Sequence, residues 1–439
     1  MKENLKKLPM LSKVILGSAI AATSALFLSA PLVQGGARAA LQDSPKAVVD
    51  EVWQIVNRDY VDGSFNQVNW QATRQELLSR NYASREEAYA AIKEALKKLG
   101  DPFTRFMTPQ DYKALTSQTE GEISGIGIRL GIKEEDRSLV VVEPIENSPA
   151  SKAGVKAGDG LVAIDGKPTK GMTVEQASEL IRGEAGTKVS LKLERQGQGA
   201  FDLTLTRAQI ELSSVRYLVK NEGKLRVGYI RLDEFTAHSA EQMKRAIAKL
   251  NSEKVNGFIL DLRGNPGGLL VASVDIARMW LDNGAIVKIV DRRGSNDELK
   301  ANRTAITKLP LAILVDGNSA SASEILSGAL KDNRRATIVG SQTYGKALVQ
   351  SVHELSDGSG LAVTVAHYYT PNGTDISHKG VTPDVKLDLT ADQLRQLAAN
   401  PTWIATPNDP QYARAIAVLS NPNAQQPVFS PGKPQLGSR

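Results

Sequence analysis

Apolar residues recur with different periods along this chain, and each period marks a different kind of segment. From Ser44 to about Tyr112 the period is helical: Val48, Val49, Val52, Trp53, Ile55 and Val56 share one face at 3.6-residue spacing. Asp59-Tyr-Val-Asp-Gly63 breaks the pattern, and Asn69-Trp70 opens a second helix that runs to Leu78. Ser84-Arg-Glu-Glu87 is a capping box, and the helix it opens carries Tyr89, Ile92, Leu96 and Leu99 on one face. Gly100-Asp-Pro-Phe-Thr-Arg-Phe106 ends that helix and reads as structural. A helical cap or dimerising element is expected here.

From Glu120 to Arg207 the period drops to two. Gly125-Ile-Gly-Ile128 begins an alternating strand, Ser138 to Val142 is a second, and Ser148 caps a short helix. Gly158 to Gly166 is a strand ending in a turn, and Thr173-Val-Glu-Gln176 caps a helix to Ile181. Strands at 189–193 and 203–205 complete a small sheet. From Ile210 to about Leu389 the strands are longer and more apolar. Val227 to Arg231 and Gly257 to Leu262 flank a helix from Ser239 to Leu250, a β-α-β unit. A helix from Leu269 to Leu281 follows, and Leu311 to Val315 is a further apolar strand.

The chemistry collects just after that last strand. Asp316-Gly-Asn318 turns the chain, Ser319-Ala-Ser-Ala-Ser323-Glu324 starts a helix reading through Leu330, and Lys346 follows a glycine turn 25 residues past Ser321. A hydroxyl at a helix N-terminus lies in the positive end of the dipole, which favours a developing anion. The four histidines, at 238, 353, 367 and 378, stand in no triad setting; His378, in a polar loop, reads as incidental. A desolvated lysine can replace histidine as base once its pKa falls from ~10.4 toward neutrality. Ser321 and Lys346 would then form a minimal serine–lysine dyad. The plain alternative is that Ser321 and Glu324 form a capping box and Lys346 is a solvated turn lysine. The residues alone leave this open, and do not choose among Ser319, Ser321 and Ser323. The turn at Asp261-Leu-Arg-Gly-Asn-Pro-Gly-Gly268 likewise reads either as half an oxyanion hole or as a plain turn with an Asp261–Arg263 ion pair.

The run from Ser319 to Asn333, followed by Gly340, Thr343-Tyr-Gly-Lys346 and Val349-Gln350, resembles the active-site signature of the carboxyl-terminal processing (tail-specific) proteases over more than thirty residues. The resemblance implies Ser321 as nucleophile, Lys346 as base and Gln350 as the residue holding the lysine amine. Glu324, Asp261 and Arg263 would be supports, and the Gly267 and Ala322 N–H groups the oxyanion donors. The core would be α/β, of the crotonase- and Clp-protease-like kind. The segment 119–208 resembles a circularly permuted PDZ domain, in which Gly125, Ile126, Gly127 and Ile128 form the carboxylate-binding loop. Consecutive N–H groups in a glycine-permitted turn suit that role, and the adjacent strand edge suits an added peptide strand. Ala177, Leu180 and Ile181 would line the pocket for the last side chain. Two departures stand out: Ala347 where the family has glycine, a strain if φ there is positive, and Gly160 where a larger residue is usual. They are the sequence support for an alternative, a catalytically inactive PDZ scaffold or chaperone of the cell envelope. A histidine-based PDZ protease fits worse, because Gly317-Asn-Ser319 is followed by alanine.

Composition narrows the setting. Lys2, Lys6, Lys7 and Lys13 precede an apolar run from Val14 to Leu28, and Ala37-Arg-Ala39 offers a cleavage site, as in a secretory signal peptide. An uncleaved membrane anchor is the runner-up. Residues 1–39 carry net +4 of the formal +6, and no basic run is interleaved with aromatics, so nucleic acid is not an expected partner. With no cysteine and no His-Glu-x-x-His cluster, thiol catalysis is excluded and neither a metal nor another cofactor is expected. The expected organisation is multidomain α/β: signal peptide 1–39, helical domain 40–118, PDZ domain 119–208, catalytic core 209–390, helical extension 391–424 and a tail 425–439. The expected partner is a protein with a free carboxyl terminus, met in the periplasm or the thylakoid lumen. The helical cap with Trp53 and Trp70 is most similar to cyanobacterial and plastid members, some of which trim a membrane-protein substrate, the precursor of a photosystem II reaction-centre subunit.

Overall fold

The computed structural model describes residues 44–421. The expected signal peptide at 1–39 and the expected tail at 425–439 lie outside the described residues. Among those described, no helix is long and apolar enough to cross a membrane.

The part after residue 209 is built on a six-stranded sheet ordered Val215–Glu222, Leu225–Leu232, Gly257–Asp261, Leu311–Val315, Thr337–Gly340 and Val385–Lys386. The first pair is antiparallel and every later pair parallel. Gly257–Asp261 and Leu311–Val315 are buried at every position, as strands covered on both faces must be. Alternate residues supply the two faces. Phe258, Leu260, Ile313 and Val315 pack under the helices Ser239–Ser252, Leu270–Arg278 and Ala322–Asp332. Ile259, Ala312 and Leu314 face the C-terminal helix Pro410–Ser420 through Tyr412, Ala415, Val418 and Leu419. That helix completes the sheet's second face, so it belongs to the core.

A second sheet joins the helical N-terminal part to the part after residue 209. Gly360–Tyr369 is its centre, pairing with Leu348–Glu354, Arg105–Met107 and Ala285–Asp291. Helices Pro45–Asp59, Trp70–Ser79 and Arg85–Lys97 bury Val49, Trp53, Ile92 and Leu96 in one cluster with Phe106, Leu361 and Val363 of this sheet. The expected caps form: Asn69 accepts from the Ala72 N–H and Ser84 from the Glu87 N–H. The helix Pro109–Glu120 and the hairpin 285–300, whose second strand is largely exposed, had no strong sequence signal.

A third sheet is ordered Ile128–Ile132, Leu139–Pro144, Gly160–Ile164, Lys188–Arg195 and Gly199–Thr206. Ile128–Ile132 is an edge strand, and the helix Val174–Ile181 lies beside it. A two-stranded ladder, Glu122–Gly125 with Ala208–Glu211, carries the chain into and out of this sheet. Between Gly125 and Ile128 the chain leaves the ladder. Gly127 has φ +76°, and a Cβ there would stand 2.3 Å from the Ser148 Cβ, so only glycine fits. The Ile126 and Gly127 carbonyls are taken by Ala150 and Ile145 at 2.9 Å each, while their N–H groups have no acceptor among the described residues. Ala177 and Ile181 are buried in the core of this sheet, and Leu180 is half-buried against it.

Candidate active site

The Leu311–Val315 strand delivers the chain to a turn held by Asp316, whose Oδ1 accepts from the Asn318 and Gly264 N–H groups at 3.0 and 2.9 Å. Three serines follow, and their surroundings separate them. Ser319 is fully buried, its hydroxyl donating to the Leu262 carbonyl at 2.9 Å. Ser323 is also buried and donates to the Asn265 carbonyl at 3.0 Å. Ser321, half-buried, sits at φ +54°, ψ −112°, a conformation that costs an L-residue about 1–3 kcal/mol. The Glu324 N–H is held by the Ser321 carbonyl at 2.8 Å, so the backbone closes the first turn of Ala322–Asp332. Of the three hydroxyls, that of Ser321 is the one not spent on a buried carbonyl.

Glu324 is wholly buried and acts as a hub. Its Oε2 accepts from the backbone N–H of both Ser321 and Lys346, at 2.9 Å each. Its Oε1 accepts from the Gly345 N–H at 2.7 Å and the Thr343 hydroxyl at 2.6 Å. Burial pushes the Glu324 carboxyl up, against these four bonds, which favour the anion. Tyr368, on the strand beside Lys346, is a second bridge. Its hydroxyl lies 3.1 Å from the Ser321 carbonyl oxygen and also within hydrogen-bond reach of the Lys346 carbonyl. Positions 321 and 346 are thus tied together twice through their backbones. Ala347 is buried and is not among the residues of positive φ, so alanine is unstrained there and that argument for an inactive scaffold falls.

The lysine is half-buried, with one aromatic ring and three charged groups around its amine. Burial pulls Lys346 down from the ordinary lysine value and Arg105 pushes the same way, with Asp101 and Glu324 opposing. Its Nζ lies 4.5 Å from the centroid of the Phe103 ring. No hydrogen bond joins Nζ to the Ser321 hydroxyl or to Gln350 in this structure; the Gln350 amide instead lies 3.5 Å from the Thr364 hydroxyl.

The glycine turn packs directly on Ser321. Gly267 has φ +107°, and a Cβ there would lie 2.8 Å from the Ala320 carbonyl, 2.9 Å from the Ser321 Cβ and 3.0 Å from the Ala322 nitrogen. Buried Asn265 fixes the turn: its amide donates to the Leu232 carbonyl at 2.9 Å, and its Oδ1 holds the Gly267 N–H at 2.9 Å. The Ala322 N–H has no acceptor among the described residues. Gly267→Ala is expected to cut kcat by about 10²–10³, the loss typical of one oxyanion donor, because the new methyl must displace the Ser321 backbone. Steady-state kinetics on the variant checks this.

Beneath the turn lies a buried ion network. Asp261, fully buried, accepts from the Arg263 guanidinium at 2.7 and 2.9 Å and from the Tyr229 hydroxyl at 2.6 Å. Burial works against its anion, but the Arg263 charge prevails and keeps the carboxyl below the usual range. Arg263 also donates to both oxygens of Asp409, at 3.0 and 2.8 Å. Asp409 caps the C-terminal helix, accepting from the Tyr412 N–H, so the last helix is bolted to the glycine turn. His378 lies exposed in a neighbouring loop whose N–H donates to the Gly345 carbonyl; its ring takes no part in these contacts.

Asn265, Tyr368, Asp409 and Phe103 escape a sequence reading because their roles come from contacts distant along the chain. Asp409 had one weak signal, its place just before a proline at a helix start.

Comparison with known proteins accords with this geometry. Residues 226–387 match the model of peptidase family S41, and residues 140–195 match a PDZ domain. A carboxyl-terminal-processing protease of Synechocystis is 43% identical over 370 residues, 84% of this chain and 85% of the relative. A chloroplast carboxyl-terminal-processing peptidase of Arabidopsis thaliana is 41% identical, over 76% of this chain and 67% of the relative. The solved structure of a photosystem II D1 C-terminal processing protease superposes with TM-score 0.52 at 39% identity, covering 79% of this chain and 93% of that one. The chain therefore belongs to the carboxyl-terminal-processing proteases of peptidase family S41, serine-type peptidases that here carry a PDZ domain on an α/β core.

Proposed function

We propose that this peptidase cleaves by a Ser321–Lys346 dyad, and that residues 119–208 capture the substrate's free carboxyl terminus for a catalytic core that begins at 209 and takes in the Pro410–Ser420 helix. The carrying observation is the double bridge, through Glu324 and Tyr368, between the backbones of Ser321, the member of the 319/321/323 trio whose hydroxyl is not spent on a buried carbonyl, and the desolvated Lys346. Neutral Lys346 takes the Ser321 proton, and the Ser321 oxygen attacks the peptide carbonyl. The oxyanion forms beside the Ala322 N–H, at the positive end of the Ala322–Asp332 helix. The Gly267 N–H is the second donor and exchanges its bond to Asn265 for the oxyanion. The lysine ammonium returns the proton to the leaving amine, and water hydrolyses the acyl-enzyme by the same base. Glu324, Asp261 and Arg263 position these groups, while Gln350 is turned to Thr364 and makes no hydrogen bond to the amine.

The open N–H groups of Ile126 and Gly127 are suited to a terminal carboxylate, with Gly125 and Ile128 framing them at the edge strand. The test compares a peptide substrate with its C-terminally amidated twin. The amidated form is expected to show a higher KM with a smaller change in kcat; equal KM values would refute terminal recognition. The protein named by the 39%-identical structure processes photosystem II D1. We therefore propose the D1 precursor as substrate and the thylakoid lumen or periplasm as the place of action. Mass analysis of D1 carboxyl termini in cells lacking this enzyme checks it: unprocessed precursor supports the assignment, mature D1 overturns it.

A further inference from the structure

We propose that Phe103, in the loop between the helical N-terminal part and the Arg105–Met107 strand, is the resting seat of the Lys346 ammonium and so a positioning residue for the base. The proposal rests on Lys346 being that base. The amine stands 4.5 Å from the ring centroid, within the range at which an aromatic face attracts a cation. Among the described residues it donates no hydrogen bond, so the ring face is its cation partner.

The seat is built firmly. Asp101 accepts from the Phe103 N–H at 2.9 Å and from the Thr104 hydroxyl at 2.7 Å, closing the loop on itself. Its Oδ2 also accepts from the Thr364 hydroxyl at 2.6 Å, and the Thr364 N–H donates to the Thr104 hydroxyl at 3.0 Å. Thr364 lies on the strand paired with Leu348–Glu354, directly opposite Gln350. The loop backbone at Phe103, the strand after the lysine and Gln350 are therefore fixed to one another, which sets the ring on the amine's side of the loop.

The ring acts in two opposing ways. Its bulk excludes water, which favours the neutral amine; its π face favours the ammonium. The other charged groups facing the amine are Arg105 and Asp101 from the same segment and Glu324 from the nucleophile helix. Phe103→Leu keeps the apolar bulk and removes the π face, so the amine should lose its proton at lower pH. Phe103→Trp keeps a π face.

The experiment reads Lys346 directly and then through turnover. Competitive labelling of the full chain with acetic anhydride across pH, followed by peptide mass analysis, gives the Lys346 titration. In Phe103→Leu its midpoint is expected to fall by about 0.4–1.5 pH units, the equivalent of one cation–π contact, while Phe103→Trp stays at or above the wild type. The acid limb of kcat/KM should move down by the same amount. A Lys346 midpoint unmoved or raised in Phe103→Leu overturns the proposal. A labelling midpoint that falls while the kcat/KM limb stays upholds the seat and removes Lys346 from the role of base, which separates this inference from the dyad it rests on. A purely structural role for Phe103 would lower kcat in both variants without moving either midpoint, and that result also overturns it.

Discussion

Lys346→Ala is expected to lower kcat by a factor on the order of 10⁴–10⁶, as loss of a base from a nucleophile–base unit does. Ser321→Ala should do the same, and the double variant should be no worse than either, because the two act as one unit. Binding of the substrate's terminus should survive in all three, since the groups at Ile126 and Gly127 are built on a separate sheet. Stability should move differently from activity. The folded pKa of Lys346 lies below its unfolded value of ~10.4, so the buried amine opposes folding at every pH below that unfolded value and ceases to do so above it. Lys346→Met, which keeps the stem and removes the charge, is therefore expected to abolish turnover while leaving Tm equal or higher. A calorimetric scan beside the kinetics shows this; a variant that loses Tm along with activity would make Lys346 a structural residue.

Glu324→Ala is expected to have the next largest effect, and to damage both fold and rate. It strands four donors, the Ser321, Gly345 and Lys346 N–H groups and the Thr343 hydroxyl, in a fully buried position. Each unsatisfied buried group costs about 1–3 kcal/mol, against a typical total stability of roughly 5–15 kcal/mol. The nucleophile, at φ +54°, keeps its unfavourable backbone only while its surroundings over-determine it. We therefore expect a rate loss of about 10³ or more, the scale of general acid–base and oxyanion contributions together, with a clearly lowered unfolding midpoint. Glu324→Gln preserves shape and one acceptor oxygen and should fall between. Equal kcat in wild type and Glu324→Ala would show that the bridge between the two segments is dispensable.

The architecture was legible wherever local signals carried it. Asn69, Ser84 and Thr173 announce helix starts because the cap is a contact three residues long, and each accepts the N–H expected of it. Leu311–Val315 announces a strand covered on both faces because no polar residue interrupts it. The hairpin at 285–300 was not legible: its second strand, Asn296–Lys300, is largely exposed and charged, so pairing rather than burial holds it. The candidate site divides the same way. Ser321 and Lys346 stand in a continuous motif, but what sets them comes from far along the chain. Tyr368 reaches Ser321 across 47 residues, and Asp409 reaches Arg263 across 146. Asp-Pro-Phe-Thr-Arg read as a simple helix stop, since nothing within that loop hints that its ring faces the amine of Lys346. The suspicion raised by Ala347 failed for the converse reason: φ is a property of the folded loop and not of the residue type.

The most direct test of the account is the pH dependence of covalent capture by a fluorophosphonate, with the modified peptide located by mass. The account predicts a single adduct on Ser321, formed at a rate that climbs with pH through a midpoint below the ordinary lysine value and collapses in Lys346→Ala. An adduct on another residue, or capture of Ser321 that proceeds at wild-type rate without the lysine, would contradict it.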